Sequence, residues 1–137
     1  MVDLEDVLNN DSIKSNDMLH FIIEIFDLDI KHAVMLQRLF VCIIKETIEE
    51  MSKHKLTRKG DDLYLKDSKL NISIATKSAV SILIHIGINI CSKDTPVKTI
   101  SFHDLKINWT NARDIIMHKF KDEFEDIYKA ISKVKPV

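Results

Sequence analysis

The sequence predicts an α+β domain, an antiparallel or mixed sheet with helices packed on one of its faces. Two observations carry this. Apolar residues recur at helical spacing near both ends of the chain, and they alternate one by one across its middle, from Lys55 to Ile90. A third observation bounds the size. The 137 residues are 45% hydrophobic and 30% charged, which suits one globular domain over 1–137 rather than a disordered chain.

The elements follow in order. Residues 1–15 read as an irregular acidic lead-in. Asn16 is placed to cap a short helix whose stripe is Met18, Phe21, Ile22 and Ile25. Asp29 caps a longer helix reaching about Lys53, with Leu36, Phe40, Ile43, Ile44, Thr47 and Met51 on one face. Only Gln37 and Arg38 are strongly polar between Ala33 and Ile44, so this half is expected to be nearly surrounded by protein. His20 and Cys42 fall on the apolar helices and are expected in the core. "KLTRK", "DLYL", "KLNISIAT" and "VSILIHIGINI" read as strands, with turns at Gly60–Asp61, Asp67–Ser68 and Ser78–Ala79. A connection over 91–109 holds Pro96 and one short strand near Thr99–Phe102. Thr110 caps a last helix with a stripe from Ala112 to Ile131.

Composition excludes several function classes. A net charge of −1 offers no basic surface for nucleic acid. No apolar run approaches the ~20 residues of a membrane span, and "MVDLEDV" lacks the pattern of a secretory signal. A cytoplasmic protein is expected. With two glycines, the chain has no glycine-rich phosphate loop. Two cysteines and six scattered histidines suggest neither a disulfide framework nor a metal site.

Parity then selects candidates, because alternate side chains share a sheet face. Val80, Ile82, Ile84, Ile86, Ile88 and Ile90 form a core face, as do Leu70, Ile72 and Ile74. If these two runs pair with their apolar faces together, Lys69, Asn71, His85, Gly87 and Asn89 share the other face. A short turn at Asp67–Ser68 adds Asp62 and Tyr64 to it. The result is either a wet sheet face or a binding site, with Gly87 admitting a close ligand. Arg38, an arginine on a buried helix, needs an acid, a carbonyl or a ligand.

Residues 60–90, "GDDLYLKDSKLNISIA…ILIHIGINI", resemble the catalytic core of biotin protein ligases and lipoate ligases. The matching pieces are Asp62-Leu63-Tyr64-Leu65, Lys69-Leu70 and Gly87-Ile88-Asn89. A wider match, through "MVDLEDV", "NDMLHFIIEIFD", "QRLFVCIIKE" and "GDDLYLKDSKLNISIAT", resembles an uncharacterised, mainly archaeal family, domain-of-unknown-function family 366. That resemblance implies the ligase fold and, more distantly, that of class II aminoacyl-tRNA synthetase cores.

By residue, the resemblance implies that Lys69 lies against carboxyl and phosphate oxygens during adenylation, as a point charge on developing negative charge. Asn89 would lie near the adenylate, Gly87 would keep its strand open, and Asp62 would order the site or a metal-bound phosphate. ATP is the implied cofactor. A small-molecule acid or a nucleotide is the implied ligand, and an acceptor protein the implied partner. The chain also departs from the pattern. Asp61 stands where ligases have asparagine, and Asn71-Ile72 where they prefer small residues and glycine. Nothing before Gly60 resembles their loop rich in glycine and arginine, so an N-terminally shortened member is expected. Two alternatives therefore stand beside an acyl-adenylate-binding ligase-like site. One is a non-catalytic binding module on the same fold, with a homodimer formed through an exposed sheet edge. The other is an acyltransferase using Cys91 as nucleophile.

Overall fold

The computed structural model describes residues 17–91 and 98–136. Their elements run β1 (Met18–Phe26), α1 (Ile30–Ser52), β2 (Thr57–Lys59), β3 (Asp62–Leu65), β4 (Ser68–Lys69), β5 (Asn71–Lys77), β6 (Ser81–Asn89) and α2 (Trp109–Ser132). One antiparallel sheet has the order β1-β6-β5 and a smaller one the order β2-β3-β4. The expected α+β class with helices on one sheet face is what forms. The lead-in over 1–15 and Pro96 lie outside the described residues.

The main sheet is built around β6. Ile82, Ile84, Ile86 and Ile88 are fully buried on one face, against Phe40, Val41, Ile44 and Ile48 of α1 and Ala112 and Ile116 of α2. β1 extends this face: Leu19, Phe21, Ile23 and Ile25 pair with Ile88, Ile86, Ile84 and Ile82. This corrects the helix expected over 16–25. The segment MLHFIIEIF carries both apolar periods at once, since Ile22 breaks the alternation. Its β-branched and aromatic content, and a strand partner along its whole length, decide for the strand.

Helix α1 begins where expected. The Asp29 carboxylate accepts from the His32 N–H at 2.8 Å. The helix ends at Lys53, which is left-handed (φ 65°) and returns its N–H to the Glu49 carbonyl. The first half of α1 is less enclosed than expected. Met35 is 59% exposed, Arg38 is exposed, and Cys42 is only half-buried. Helix α2 is capped by Asn108 rather than Thr110. The Asn108 side chain accepts from the Thr110 and Asn111 N–H groups, and asparagine outranks threonine at this position. The short strand near 99–102 is reduced to one parallel bridge between Lys69 and Thr99.

The main surprise lies between β4 and β5. Leu70 (0% exposed) and Asn71 (2%) are consecutive and both buried. Lys69 pairs with Tyr64 in the small sheet, whereas Asn71 pairs with Ile88 in the large one. The segment changes sheets at Leu70, and strict alternation is lost where a strand changes sheets. Ile72 and Ile74 therefore point away from the helices, 47% and 55% exposed, while Asn71, Ser73 and Ala75 point toward them. The expected placement of Ile72 and Ile74 in the core, and of Asn71 on the polar face, is overturned.

Candidate functional site

The site face is the face of the main sheet that the helices leave uncovered, together with the adjoining face of the small sheet. On the small sheet the predicted cluster forms. Lys69 pairs across the strands with Tyr64, and its ammonium lies 3.2 Å from Asp62 Oδ1. Lys59, opposite Asp62, adds a second ammonium 5.5 Å from the centre of the Tyr64 ring. The sequence reading missed Lys59. The register of the two-residue turn at Gly60–Asp61, with Gly60 at φ 63°, was the clue that places it.

The backbone of Lys69 is clamped from several sides. Its N–H donates to the Lys98 carbonyl at 3.0 Å, and its own carbonyl accepts from the Ile100 N–H at 2.9 Å. Asn89 is predicted to meet a ligand, but its amide is used within the fold. It donates to the Ile100 carbonyl at 3.1 Å and, at 3.4 Å, to that of Lys69. Asn71 is likewise structural. Its Oδ1 accepts from the Leu63 N–H at 2.8 Å and its Nδ2 donates to the Asp61 carbonyl at 3.0 Å. From the other side, buried Gln37 donates to Asp61 Oδ2 at 3.1 Å and to Ser73 Oγ at 2.7 Å. Two buried amides thus hold the turn that leads into Asp62. Arg38 does not join the cluster. It is exposed and its guanidinium lies over Gly60, 3.7 Å from where a Cβ would sit.

On the main sheet the same face carries His85, Gly87, Ile72 and Ile74, as well as Met18, His20 and Ile22 from β1. His20, expected in a helical core, instead meets His85. Their rings stack at 4.9 Å between centroids, and His20 Nδ1 lies 2.8 Å from His85 Nε2. Gly87 does not hold an open space for a ligand. A Cβ there would meet Met18 Cε at 3.0 Å and His20 Nδ1 at 3.1 Å, so its bareness lets β1 side chains fold across the strand. Ile72 is its partner on the other side.

Burial of His85, then the neighbouring His20, lowers the His85 pKa below its usual 6.5. Between that lowered value and 6.5 the unfolded chain holds the extra proton, so stability rises with pH through this window. The contribution is present above pH 6.5 and is lost as pH falls through the folded value. His85→Gln should flatten this part of a urea-midpoint profile against pH; an unchanged slope would remove His85 as its source.

Cys91 follows β6, half-buried, its N–H 3.4 Å from the Asp17 carbonyl. Among the described residues no hydrogen bond reaches its thiol, and no three His, Cys, Asp or Glu side chains converge as a metal set. Nor is any helix of the described residues long and apolar enough to cross a membrane.

Comparison with known proteins gives three findings. The model of a family described as "Domain of unknown function (DUF366)" matches residues 1–135. An uncharacterized protein of Methanocaldococcus jannaschii is 41% identical over the whole chain, which spans 65% of that relative's length. Among solved structures, a protein of unknown function from Pyrococcus horikoshi superposes with a TM-score of 0.83 at 37% identity, over 100% of this chain and 74% of that one. Biotin protein ligase from Aquifex aeolicus superposes with a TM-score of 0.69 at 13% identity, over 82% of this chain and 55% of that one. The fold is therefore that of the biotin and lipoate protein ligases.

Proposed function

This chain belongs to the DUF366 family, and from its geometry we propose that it binds a small carboxylic acid with an apolar tail, as the free acid or as its adenylate. One observation carries the reading. The Lys69–Asp62 pair lies at the end of β4, and beyond it the same segment runs into exposed Ile72 and Ile74. A cation at the head of an apolar strip suits an acid with a hydrocarbon tail. Structural neighbours support this choice of ligand. The Aquifex ligase has been solved with biotin and ATP, and a T. acidophilum protein with lipoic acid. In this reading Lys69 neutralises the carboxyl or phosphate oxygens. Asp62 holds the lysine in place, and the isoleucines cover the tail. ATP is the nucleotide and an acceptor protein the downstream partner, in a cytoplasmic setting.

A specific observation favours a second reading, a non-catalytic module on the same fold. Met18 and His20 fold across Gly87, and its strand partner Ile72 stands where the ligase pattern prefers small residues and glycine. Cys91 brings no comparable support to the acyltransferase reading.

Thermal unfolding with biotin, lipoate, octanoate, ATP and a non-hydrolysable acyl-adenylate tests the proposal, on this chain and on Lys69→Ala. A ligand at a hundred times its dissociation constant stabilises by about 2.7 kcal/mol. That shift should be lost in Lys69→Ala. The variant alone should cost only about 0–1 kcal/mol, because the ion pair is partly exposed to solvent. A shift retained without Lys69 would defeat the proposal. Pyrophosphate exchange separates the two readings, since only a ligase supports it.

A further inference from the structure

We propose that β1 is a dimer interface, pairing antiparallel with β1 of a second copy about a two-fold axis at Ile22. In the sheet order β1-β6-β5, β1 is an edge, and no described strand pairs with its outer side. At nine residues, MLHFIIEIF, it is long and apolar for an edge strand. It has no proline and no lysine to discourage pairing. Phe26 is 60% exposed at one end.

The hydrogen-bond phase says which groups a partner would meet. The Ile90 N–H donates to the Asp17 carbonyl at 2.9 Å, and the β1–β6 register continues from that pair. Odd-numbered residues of β1 therefore bond to β6. Even-numbered ones, with Ile22 at the centre and Glu24 and Phe26 after it, turn their N–H and C=O groups to the outer edge.

The sequence of β1 is complementary to itself in one register. Centring the axis on Ile22 overlaps all nine residues, and other two-fold registers lose residues from both ends. On the face away from the helices it sets Glu24 of one copy opposite His20 of the other, twice by symmetry, and Met18 opposite Phe26. A carboxylate opposite an imidazole favours the pair, and thioether against aromatic ring is a favourable contact. On the helix-facing side the register sets Leu19 opposite Ile25 and Phe21 opposite Ile23, all apolar. Two three-stranded sheets become one of six, joined by about ten backbone hydrogen bonds. The β5 edge offers no such match, because it is exposed over Thr76 and Lys77 and a lysine opposes edge pairing.

The test is the mass of the full chain by light scattering across a wide concentration range, with amide exchange read at Ile22 and Glu24. A dimer with both amides protected, loosening to monomer on dilution as their protection falls, is the expected result. Ile22→Pro should give a monomer that keeps its far-ultraviolet circular dichroism, because the lost N–H is one that does not bond to β6. Should that variant fail to fold, Glu24→Lys serves, with an expected shift toward monomer. A monomer at every concentration overturns the proposal. So does a dimer whose Ile22 and Glu24 amides exchange freely, which would place the contact elsewhere. A monomer with those amides protected would mean that another part of the chain covers the edge, and overturns it equally.

Discussion

Asn71→Leu should destabilise the chain by about 2–4 kcal/mol, although the two side chains are close in size. The Asn71 amide is buried, and it is the partner of the Leu63 N–H and the Asp61 carbonyl. Leucine leaves both without a bond. A buried polar group deprived of its partner costs about 1–3 kcal/mol, against about 1 kcal/mol for the net worth of an ordinary hydrogen bond. Total stability is only about 5–15 kcal/mol for a domain, so the urea midpoint should fall visibly. The damage is also directional. Asp61 leads into Asp62, which holds Lys69 at 3.2 Å. Releasing the turn should remove the ligand-dependent shift of the remaining folded protein together with its stability. A loss under about 0.5 kcal/mol would show that water or a shifted backbone replaces the amide, and that Asn71 is no clamp.

The same residue shows where sequence reasoning stops. Much of the architecture is legible because a single force decides it. The four isoleucines of β6 alternate without exception, and all are buried. The Asp29 cap and the stripe of α1 agree with each other. The shared face of Asp62, Tyr64 and Lys69 is legible too, although the turn forms at Lys66–Asp67, with Lys66 at φ 55°, and not at the expected Asp67–Ser68. The pairing shifts by two residues, which leaves parity unchanged. Legibility fails where two forces compete. Counting apolar residues puts Ile72 inside and Asn71 outside. The sheet change at Leu70 reverses this, because two backbone groups of the β3 hairpin need an amide and find it only on the helix side. That need is invisible until β3 is docked against β5. At β1 a helical and a strand period coexist, and only the β6 partner decides. Reading β1 as a helix hid the His20–His85 pair and the filling of space over Gly87. Both are contacts between residues 65 or more positions apart.

Phe40→Ala should have the largest effect on stability, about 3–5 kcal/mol. Phe40 is 2% exposed. Its ring meets Phe21 of β1 edge-on at 5.4 Å and Phe120 of α2 at 4.5 Å. It is the point where sheet, α1 and α2 touch. Each aromatic pair adds about 0.5–1.5 kcal/mol beyond simple burial, and the cavity left by alanine adds to the loss. The melting temperature should drop on the order of 10 °C for a chain of this length. α2 should loosen first. Ala112 and Ile116 anchor its first half, and beyond Phe120 its stripe is poorly covered, with Tyr128 50% and Ile131 63% exposed, so the Phe40–Phe120 contact guards the start of the weaker half. Amides of α2 should then exchange faster than those of β6. The candidate site lies on the opposite face of the sheet. At a temperature where Phe40→Ala is still folded, a ligand acting through Lys69 should stabilise it by as much as it stabilises the unchanged chain. Asn71→Leu and Phe40→Ala, both destabilised, should thus part on ligand response. Equal loss of response in both would mean that the site depends on overall rigidity. Loss in Asn71→Leu alone would trace it to the Asp61–Asp62 turn.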